Sequence, residues 1–154
     1  MDNIQKSDLK SIEISDPNEQ QGNRKEEIID FSLNLLCENY AGQNILISPL
    51  SIVSALGMTA NGAGSQTLAE MEQVLNADVQ ELNDYLKAYT AYLPSSEKYK
   101  VSLANSIWFK DNAGLTVNGD FLQINKDYYD AGIYKAPFNE RTKNAINNWV
   151  KDKT

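Results

Sequence analysis

The sequence predicts an α+β fold in which helices come first and two strands follow, far apart along the chain. Residues 24–93 contain several runs in which apolar side chains recur at three- and four-residue spacing, which is typical of helices that bury one face. Two later stretches, residues 100–109 and 133–138, have the β-branched and aromatic composition of buried strands. A chain of 154 residues is long enough to form one domain with a sizeable core.

The first predicted helix follows a polar N-terminal extension. Residues 1–23 show only a weak apolar pattern, so we expect a mobile extension there. The helix is expected to run from about Arg24 to Glu38, and the only cysteine, Cys37, is expected to be a buried, unreactive thiol rather than a reactive one. Its apolar stripe consists of Ile28, Phe31 and Leu35, widened by Ile29 and Leu36.

Residues 44–64 are expected to form the centre of the domain. The apolar run at residues 45–47 suits a buried strand. Ser48 is a favoured N-cap, and the proline after it suits the first helical position. The helix at residues 49–61 has apolar residues around nearly its whole circumference, which predicts a central, buried helix. Gly62 is expected to end it in a left-handed conformation.

Two serines interrupt that apolar helix. Ser51 and Ser54 are placed inside or at the edge of a core, where a hydroxyl group needs a hydrogen-bond partner. One interpretation is that each serine bonds back to its own helix. The other is that they mark a polar site where strands meet the start of the helix.

Two further helices are predicted before the first long strand. Thr67 and Glu70 have capping-box spacing, which predicts a third helix over residues 67–75. A fourth helix is expected to start at Asp78, and residues 94–96 are expected to form a loop. The inward-facing residues are expected to be Leu68, Met71 and Leu75 in the third helix, and Val79, Leu82, Leu86 and Leu93 in the fourth.

The second half of the chain alternates strands and helices. Asn105 lies on the apolar face of the strand predicted at residues 100–109, where an unpaired amide would cost about 1–3 kcal/mol. A helix is expected at residues 118–129, a short strand at 133–138 and a last helix at 139–152. The inward-facing residues are expected to be Phe121, Ile124 and Tyr128, and later Ile146, Trp149 and Val150.

These segments resemble the serpin family of protease inhibitors, over about residues 26–154. Residues 103–109, LANSIWF, look like the family's LxxANxxF strand. Residues 146–154 resemble the helix that lies over the main sheet. Further matches are Asn44, Ser48, Pro49, Ser51, Ala55, Leu56, Gly57, Gly62, Ala63, Thr67, Glu70, Tyr128, Ala131 and Phe138. The resemblance implies an N-terminal helical region plus strands of an incomplete large mixed sheet, within a truncated domain at residues 24–154.

The resemblance also implies a mechanism. A serpin offers an exposed reactive loop to a protease, and the cleaved loop then inserts as a new strand into the main sheet. The shutter, where the sheet opens to admit the loop, is implied to include Asn44, Ser48, Ser51, Ser54 and Asn105. The loop itself is implied to lie C-terminal to the residues given. The open edge of the sheet is expected to invite self-association or a complementing chain.

The charge limits the partners. With 21 acidic against 14 basic residues the chain has a formal charge of −7, which argues against nucleic acid and anionic membranes. Some serpins bind glycosaminoglycan through a basic helix. The corresponding stretch here, Asp78–Tyr92, contains only Lys87 as a cation, so no such binding is expected.

The residue inventory also limits the chemistry. The chain has no histidine, which removes Ser–His and Cys–His pairs and an ordinary zinc site, and we expect no cofactor. The sequence has neither a signal peptide nor a transmembrane run, so as written it is expected to stay in the cytoplasm. Serpins are often secreted, however, and the single cysteine leaves the compartment open.

Three functions therefore remain in view. The first is the N-terminal part of a serine or cysteine protease inhibitor, which needs the rest of the fold and a target protease. The second is an interaction module that binds another chain through an open sheet edge, or a fragment without function. The third is an enzyme, which the sequence disfavours because it contains no catalytic constellation or phosphate-binding loop.

Overall fold

The computed structural model describes residues 17–94, 97–98 and 101–153, with side chains from residue 25 onward. The expectations for residues 1–16, 95–96 and 99–100 and for Thr154 lie outside this part of the chain. The elements are α1 (Pro17–Asn39), α2 (Pro49–Ala60), α3 (Ser65–Leu75), α4 (Val79–Ala91), β1 (Ser106–Lys110), α5 (Gly119–Tyr129), β2 (Gly132–Ala136) and α6 (Glu140–Lys153). Among the described residues, no helix is both long and apolar enough to cross a bilayer.

Helix α1 begins earlier than the sequence predicts. It starts at Pro17, inside the predicted extension, and a proline is tolerated in the first helical turn. Ile28 and Phe31 pack against the core, as expected. The prediction for Cys37 is wrong, because its side chain is exposed. Cys37 lies two residues after Leu35, about 200° around the helix and so on the opposite face.

The expected strand at residues 45–47 does not form. Leu46 is 99% exposed and Ile45 is 40% exposed. A strand is stabilised by hydrogen bonds to a neighbour, and among the described residues none pairs with this run. The β-branched residues of this run favour an extended strand, but this propensity does not produce a strand without a neighbouring one.

Helix α2 starts where the sequence predicts but ends differently from the expectation. Ser48 is the N-cap residue with an extended backbone and Pro49 follows it, as predicted, but among the described residues the Ser48 side chain makes no capping bond to a helix amide. The helix ends at Ala60, and Asn61 keeps a helical backbone. Gly62 does not have the predicted left-handed conformation. A Cβ at Gly62 would lie 2.9 Å from Cε2 of Phe121, so close helix packing explains the glycine.

Helices α3 and α4 pack against α2 with contrasting starts. The predicted capping box of α3 is wrong: the helix begins at Ser65, after an extended Gly64, and Glu70 accepts from the Gln66 side chain. The expected start of α4 is confirmed, and Asp78 is its N-cap, since its side chain accepts from two backbone amides. Leu75, Leu82 and Leu86 are buried as predicted.

Strands β1 and β2 form a parallel pair that is joined through α5. The register aligns Ser106 with Gly132 and Lys110 with Ala136. The first strand is shorter than predicted, because residues 101–105 lie outside the ladder. On one face Trp108 stacks on Tyr134 with ring centroids 4.2 Å apart.

The ends of α5 and α6 follow local rules. Asn118 caps α5 by accepting from the Asp120 amide, and Asn139 accepts from the amides of Arg141 and Thr142 at the start of α6. The expected burial of Val150 is wrong, since it is 46% exposed. The half-buried residues of α6 are Ile146 and Trp149.

The core lies where α2 meets α4 and the C-terminal end of α5. Its buried members are Val53, Met58, Leu75, Ala77, Leu82, Leu86, Tyr129 and Ala131. Ile107 of β1 and Ile133 of β2 pack against this cluster from the sheet. Helix α2 is therefore central, but it is not surrounded: Ser51, Ala55 and Thr59 form an exposed stripe at four-residue spacing.

Candidate functional site

The residues predicted to form the shutter fall into two groups. In the first, the hydroxyl oxygens of Ser48 and Ser51 lie 2.8 Å apart at the start of α2 and share a hydrogen bond. Both side chains are exposed, and so is that of Asn44. Ser51 thus bonds a neighbouring hydroxyl across one helical turn.

The second group lines a groove of about 480 Å³ between α4, α5 and residues 101–105. Ser54 is only 1% exposed and faces this groove together with the half-buried Asn105. The side-chain nitrogen of Asn105 donates to the backbone carbonyl of Tyr129 at 3.1 Å. The backbone carbonyl of Asn105 accepts from the backbone amide of Gly132 at 2.9 Å. Asn105 has therefore found polar partners, as its place in the strand pattern required.

Four residues form a polar junction inside the helical region. The sequence did not indicate that their polar groups are brought together in the core. The Asn61 and Asn83 side chains exchange hydrogen bonds of 2.8 and 2.9 Å between the end of α2 and α4. The Tyr129 hydroxyl donates to the Asn83 side-chain oxygen at 2.6 Å. Asn61 also donates to the carbonyl of Gly57. These four residues are called the Tyr129 junction below.

The Tyr129 junction is tightly enclosed. Tyr129 is 6% exposed and Asn83 is 1% exposed. A Cβ at Gly57 would collide with the Tyr129 hydroxyl, so only glycine lets the ring approach α2 this closely. Burial raises the pKa of the Tyr129 phenol, because the charged form would lose its hydration.

A periodicity signal could have found these buried polar residues. Asn83 lies four residues after Val79 and three before Leu86, so helical spacing puts it within the apolar stripe of α4. Asn125 lies midway between Phe121 and Tyr129 on one face of α5 and is completely buried. Its amide nitrogen donates to the Phe121 carbonyl, whereas its side-chain oxygen has no hydrogen-bond partner among the described residues.

The opposite side of α2 borders an open cavity of about 1230 Å³. Ala55 and Thr59 of α2, Ile107 of β1, Ile124 of α5 and Trp149 of α6 contribute to its walls. Its lining is mainly apolar, in contrast to the polar junction on the other side of the helix. Among the described residues, no three His, Cys, Asp or Glu side chains are arranged to hold a metal ion.

Comparisons with known proteins agree with the sequence resemblance. The family model described as "Serpin (serine protease inhibitor)" matches residues 26–154. Human neuroserpin is 32% identical over 139 residues, which is 84% of this chain and 33% of neuroserpin. Bovine leukocyte elastase inhibitor is 32% identical over 130 residues, which is 82% of this chain and 34% of the inhibitor.

A solved structure supports the same fold. Tengpin, a thermophilic serpin solved in the latent state, is 47% identical with a TM-score of 0.80, covering 94% of this chain and 38% of tengpin. The predicted α+β fold, a helical region with an incomplete sheet, is confirmed by this similarity. The chain spans about a third of the length of the curated relatives that it matches.

Proposed function

Because this chain belongs to the serpin family, we propose that it supplies the N-terminal frame of a serpin-type protease inhibitor. The observation that carries this proposal is the family match over residues 26–154. In the mechanism that the family resemblance implies, a protease cleaves the reactive loop, which then enters the main sheet as a strand. The target protease is the partner of the whole inhibitor, and its identity depends on the loop.

The frame contributes two parts to that mechanism. The strand pair β1–β2 supplies a portion of the sheet, and α2 supplies a helix beneath it. The exposed Ser48–Ser51 pair lies at the start of α2, and Ser54, three residues after Ser51, faces the groove that also contains Asn105. We assign these residues and Asn44 to the region where the sheet opens.

The open cavity beside Ala55 and Thr59 is consistent with this role. Its apolar walls amount to a partly covered core, and burial of such a surface is favourable by about 25 cal/mol per Å². We propose that the remainder of the serpin fold covers this cavity. Inhibition rather than catalysis is the expected activity, since the 154 residues contain no histidine to activate a nucleophile.

A chimera tests the proposal. Residues 26–154 replace the corresponding segment of bovine leukocyte elastase inhibitor, and the product is incubated with leukocyte elastase. We expect a complex that survives denaturing electrophoresis, because the relative supplies the loop and the chain supplies the frame. If elastase cleaves a folded chimera but forms no complex, the segment does not support loop insertion and the proposal is wrong.

A matched pair of variants tests the shutter assignment in that chimera. Ser51→Ala removes one hydroxyl of the Ser48–Ser51 pair. Thr59 lies two turns after Ser51 on the same exposed stripe, and Thr59→Ala removes a hydroxyl that donates to the Ala55 carbonyl of its own helix. We expect Ser51→Ala to change the rate of loop insertion and Thr59→Ala to leave it unchanged. Equal rates in Ser51→Ala and the parent chimera contradict the shutter assignment.

A second candidate function is an interaction module. The outer edges of β1 and β2 have no partner strand among the described residues, and unpaired edges can pair with another chain. Self-association or binding of a complementing chain would then cover the open cavity. Sedimentation over a range of concentrations tests this for the 154-residue chain: a monomer throughout contradicts self-association, whereas a dimer supports it.

A further inference from the structure

The side chain of Tyr129 ends where three helices meet. Its hydroxyl donates to Asn83 of α4 and lies directly against Gly57 of α2, while its backbone belongs to the last turn of α5. A buried phenol that is held by an amide and pressed against a helix backbone has little freedom to move. The position of Tyr129 is therefore set by the packing of α2 and α4.

The backbone of Tyr129 reaches the sheet. Its carbonyl accepts from the Asn105 side chain, and the carbonyl of Asn105 accepts from the amide of Gly132, the first residue of β2. Only Asp130 and Ala131 separate Tyr129 from β2. Asp130 is in the left-handed region with φ of 48°, and Ala131 is 5% exposed, so this connection is short and tightly packed.

The two ends of Tyr129 thus touch different parts of the molecule. We propose that Tyr129 is a positioning residue that transmits the packing of α2 and α4, through its carbonyl and Asn105, to the start of the β1–β2 pair. This inference depends on the fold and not on the proposed inhibition. If inhibition is established, the same link sets how readily β1 moves when the sheet opens.

Hydrogen exchange of the 154-residue chain, measured by NMR, tests this link. Tyr129→Phe removes the hydroxyl and keeps the ring. We expect the Gly132 amide to exchange about five- to thirty-fold faster, the range that corresponds to a loss of 1–2 kcal/mol. The amide of Asp111, which donates to Ala136 at the far end of the strand pair, should exchange at the parental rate.

The neighbouring tyrosine provides a matched control. The Tyr128 hydroxyl accepts from Gln80 on the outer side of α4, so Tyr128→Phe makes the same chemical change outside the junction. We expect Tyr128→Phe to leave Gly132 exchange unchanged. An unchanged Gly132 rate in Tyr129→Phe overturns the proposal, and so does an equal acceleration of every amide, which indicates only global destabilisation.

A double-variant cycle tests the route through Asn105. In an Asn105→Ala background the proposed connection is already broken. Tyr129→Phe should then add no further acceleration at Gly132, whereas independent effects would multiply. Multiplying effects overturn the route, and the exchange result stands whether or not the elastase chimera inhibits.

Discussion

The two sides of helix α2 differ in what each hydrogen bond is worth. On the closed side, Gly57 faces the Tyr129 junction, where Tyr129 and Asn83 are almost inaccessible to water. On the open side, Ser51 and Thr59 make hydrogen bonds of similar length, but their side chains are exposed. A broken bond on the closed side leaves an unsatisfied buried group, whereas water replaces the lost partner on the open side. Sequence position along one helix therefore does not predict the energetic weight of a residue.

The largest effect is expected where the closed side is most crowded. Gly57→Ala introduces a Cβ that collides with the Tyr129 hydroxyl and lies 3.3 Å from Cδ2 of Leu82. Since Tyr129 is held by Asn83, relief of the collision must disturb the junction. We expect the free energy of unfolding to fall by about 2–3 kcal/mol, measured by urea denaturation.

Another glycine provides the control for that substitution. A Cβ at Gly119, at the start of α5, meets no atom of the described residues within 4 Å. Gly119→Ala should therefore be neutral or raise the free energy of unfolding by up to about 1 kcal/mol, because alanine has the higher helix propensity. If both variants lose the same stability, the crowding at Gly57 is not what distinguishes the closed side.

Alkaline pH should weaken the closed side next. Burial raises the pKa of Tyr129 above 10, so the folded protein keeps this proton while the unfolded chain releases it. Above pH 10 the unfolded state therefore binds fewer protons than the folded state, so the free energy of unfolding falls as the pH rises. The contribution of the buried Tyr129 to stability is fully present below pH 10 and is lost at higher pH. The expected loss is about 1.4 kcal/mol per pH unit.

Tyr129→Phe isolates this contribution. The variant should show a shallower decline of unfolding free energy above pH 10, measured by denaturant unfolding at several pH values. Some decline should remain, because burial and the nearby Tyr89 also raise the pKa of Tyr85. The exposed Tyr92 offers the matched Tyr→Phe control, and a slope that Tyr129→Phe leaves unaltered contradicts the assignment.

An intermediate effect is expected for Asn105, whose burial lies between that of the closed side and that of the open side of α2. It is half-buried, and within the part of the chain that the structure describes its side chain makes one hydrogen bond, to the Tyr129 carbonyl. Asn105→Leu should lower the free energy of unfolding by about 1 kcal/mol, because the carbonyl loses its donor. Thermal unfolding checks this value, and an unchanged midpoint would place Asn105 with the open side.

The smallest effect is expected on the open side. Ser51→Ala breaks the hydroxyl pair with Ser48, but both hydroxyls can bond to water. In the 154-residue chain its free energy of unfolding should stay within about 0.5 kcal/mol of the parent. A larger loss in chemical denaturation would show that the start of α2 is more enclosed than its exposure indicates.

Local signals predicted much of the fold correctly. The expected starts of α4 at Asp78 and of α5 near Asn118 agree with the structure, and so do the inward faces of α3 and α4, because a helix brings together residues three and four positions apart. The same reasoning failed at Ile45–Ile47 and at Gly62. A strand requires a partner from elsewhere in the fold, and Gly62 is explained by contact with α5, which no local pattern encodes.

The candidate site divides in the same way. In the sequence, Ser51, Ser54 and Asn105 are polar residues within apolar segments, and Ser48 precedes one of these segments. The sequence also shows the resemblance to the serpin family that the comparisons confirm. It also contains the helical spacing that puts Asn83 and Asn125 on apolar faces, although that spacing names no partner. Whether these residues serve the shutter stays a prediction.

By itself the sequence determined the family, the order of the helices, and the charge and residue inventory. Tertiary structure decided which polar groups are buried together, since the Tyr129 junction joins residues 22 and 46 positions apart. It also decided that one side of α2 is closed and the other open. Side-chain contacts between distant elements depend on how the elements pack, and packing is a property of the whole fold.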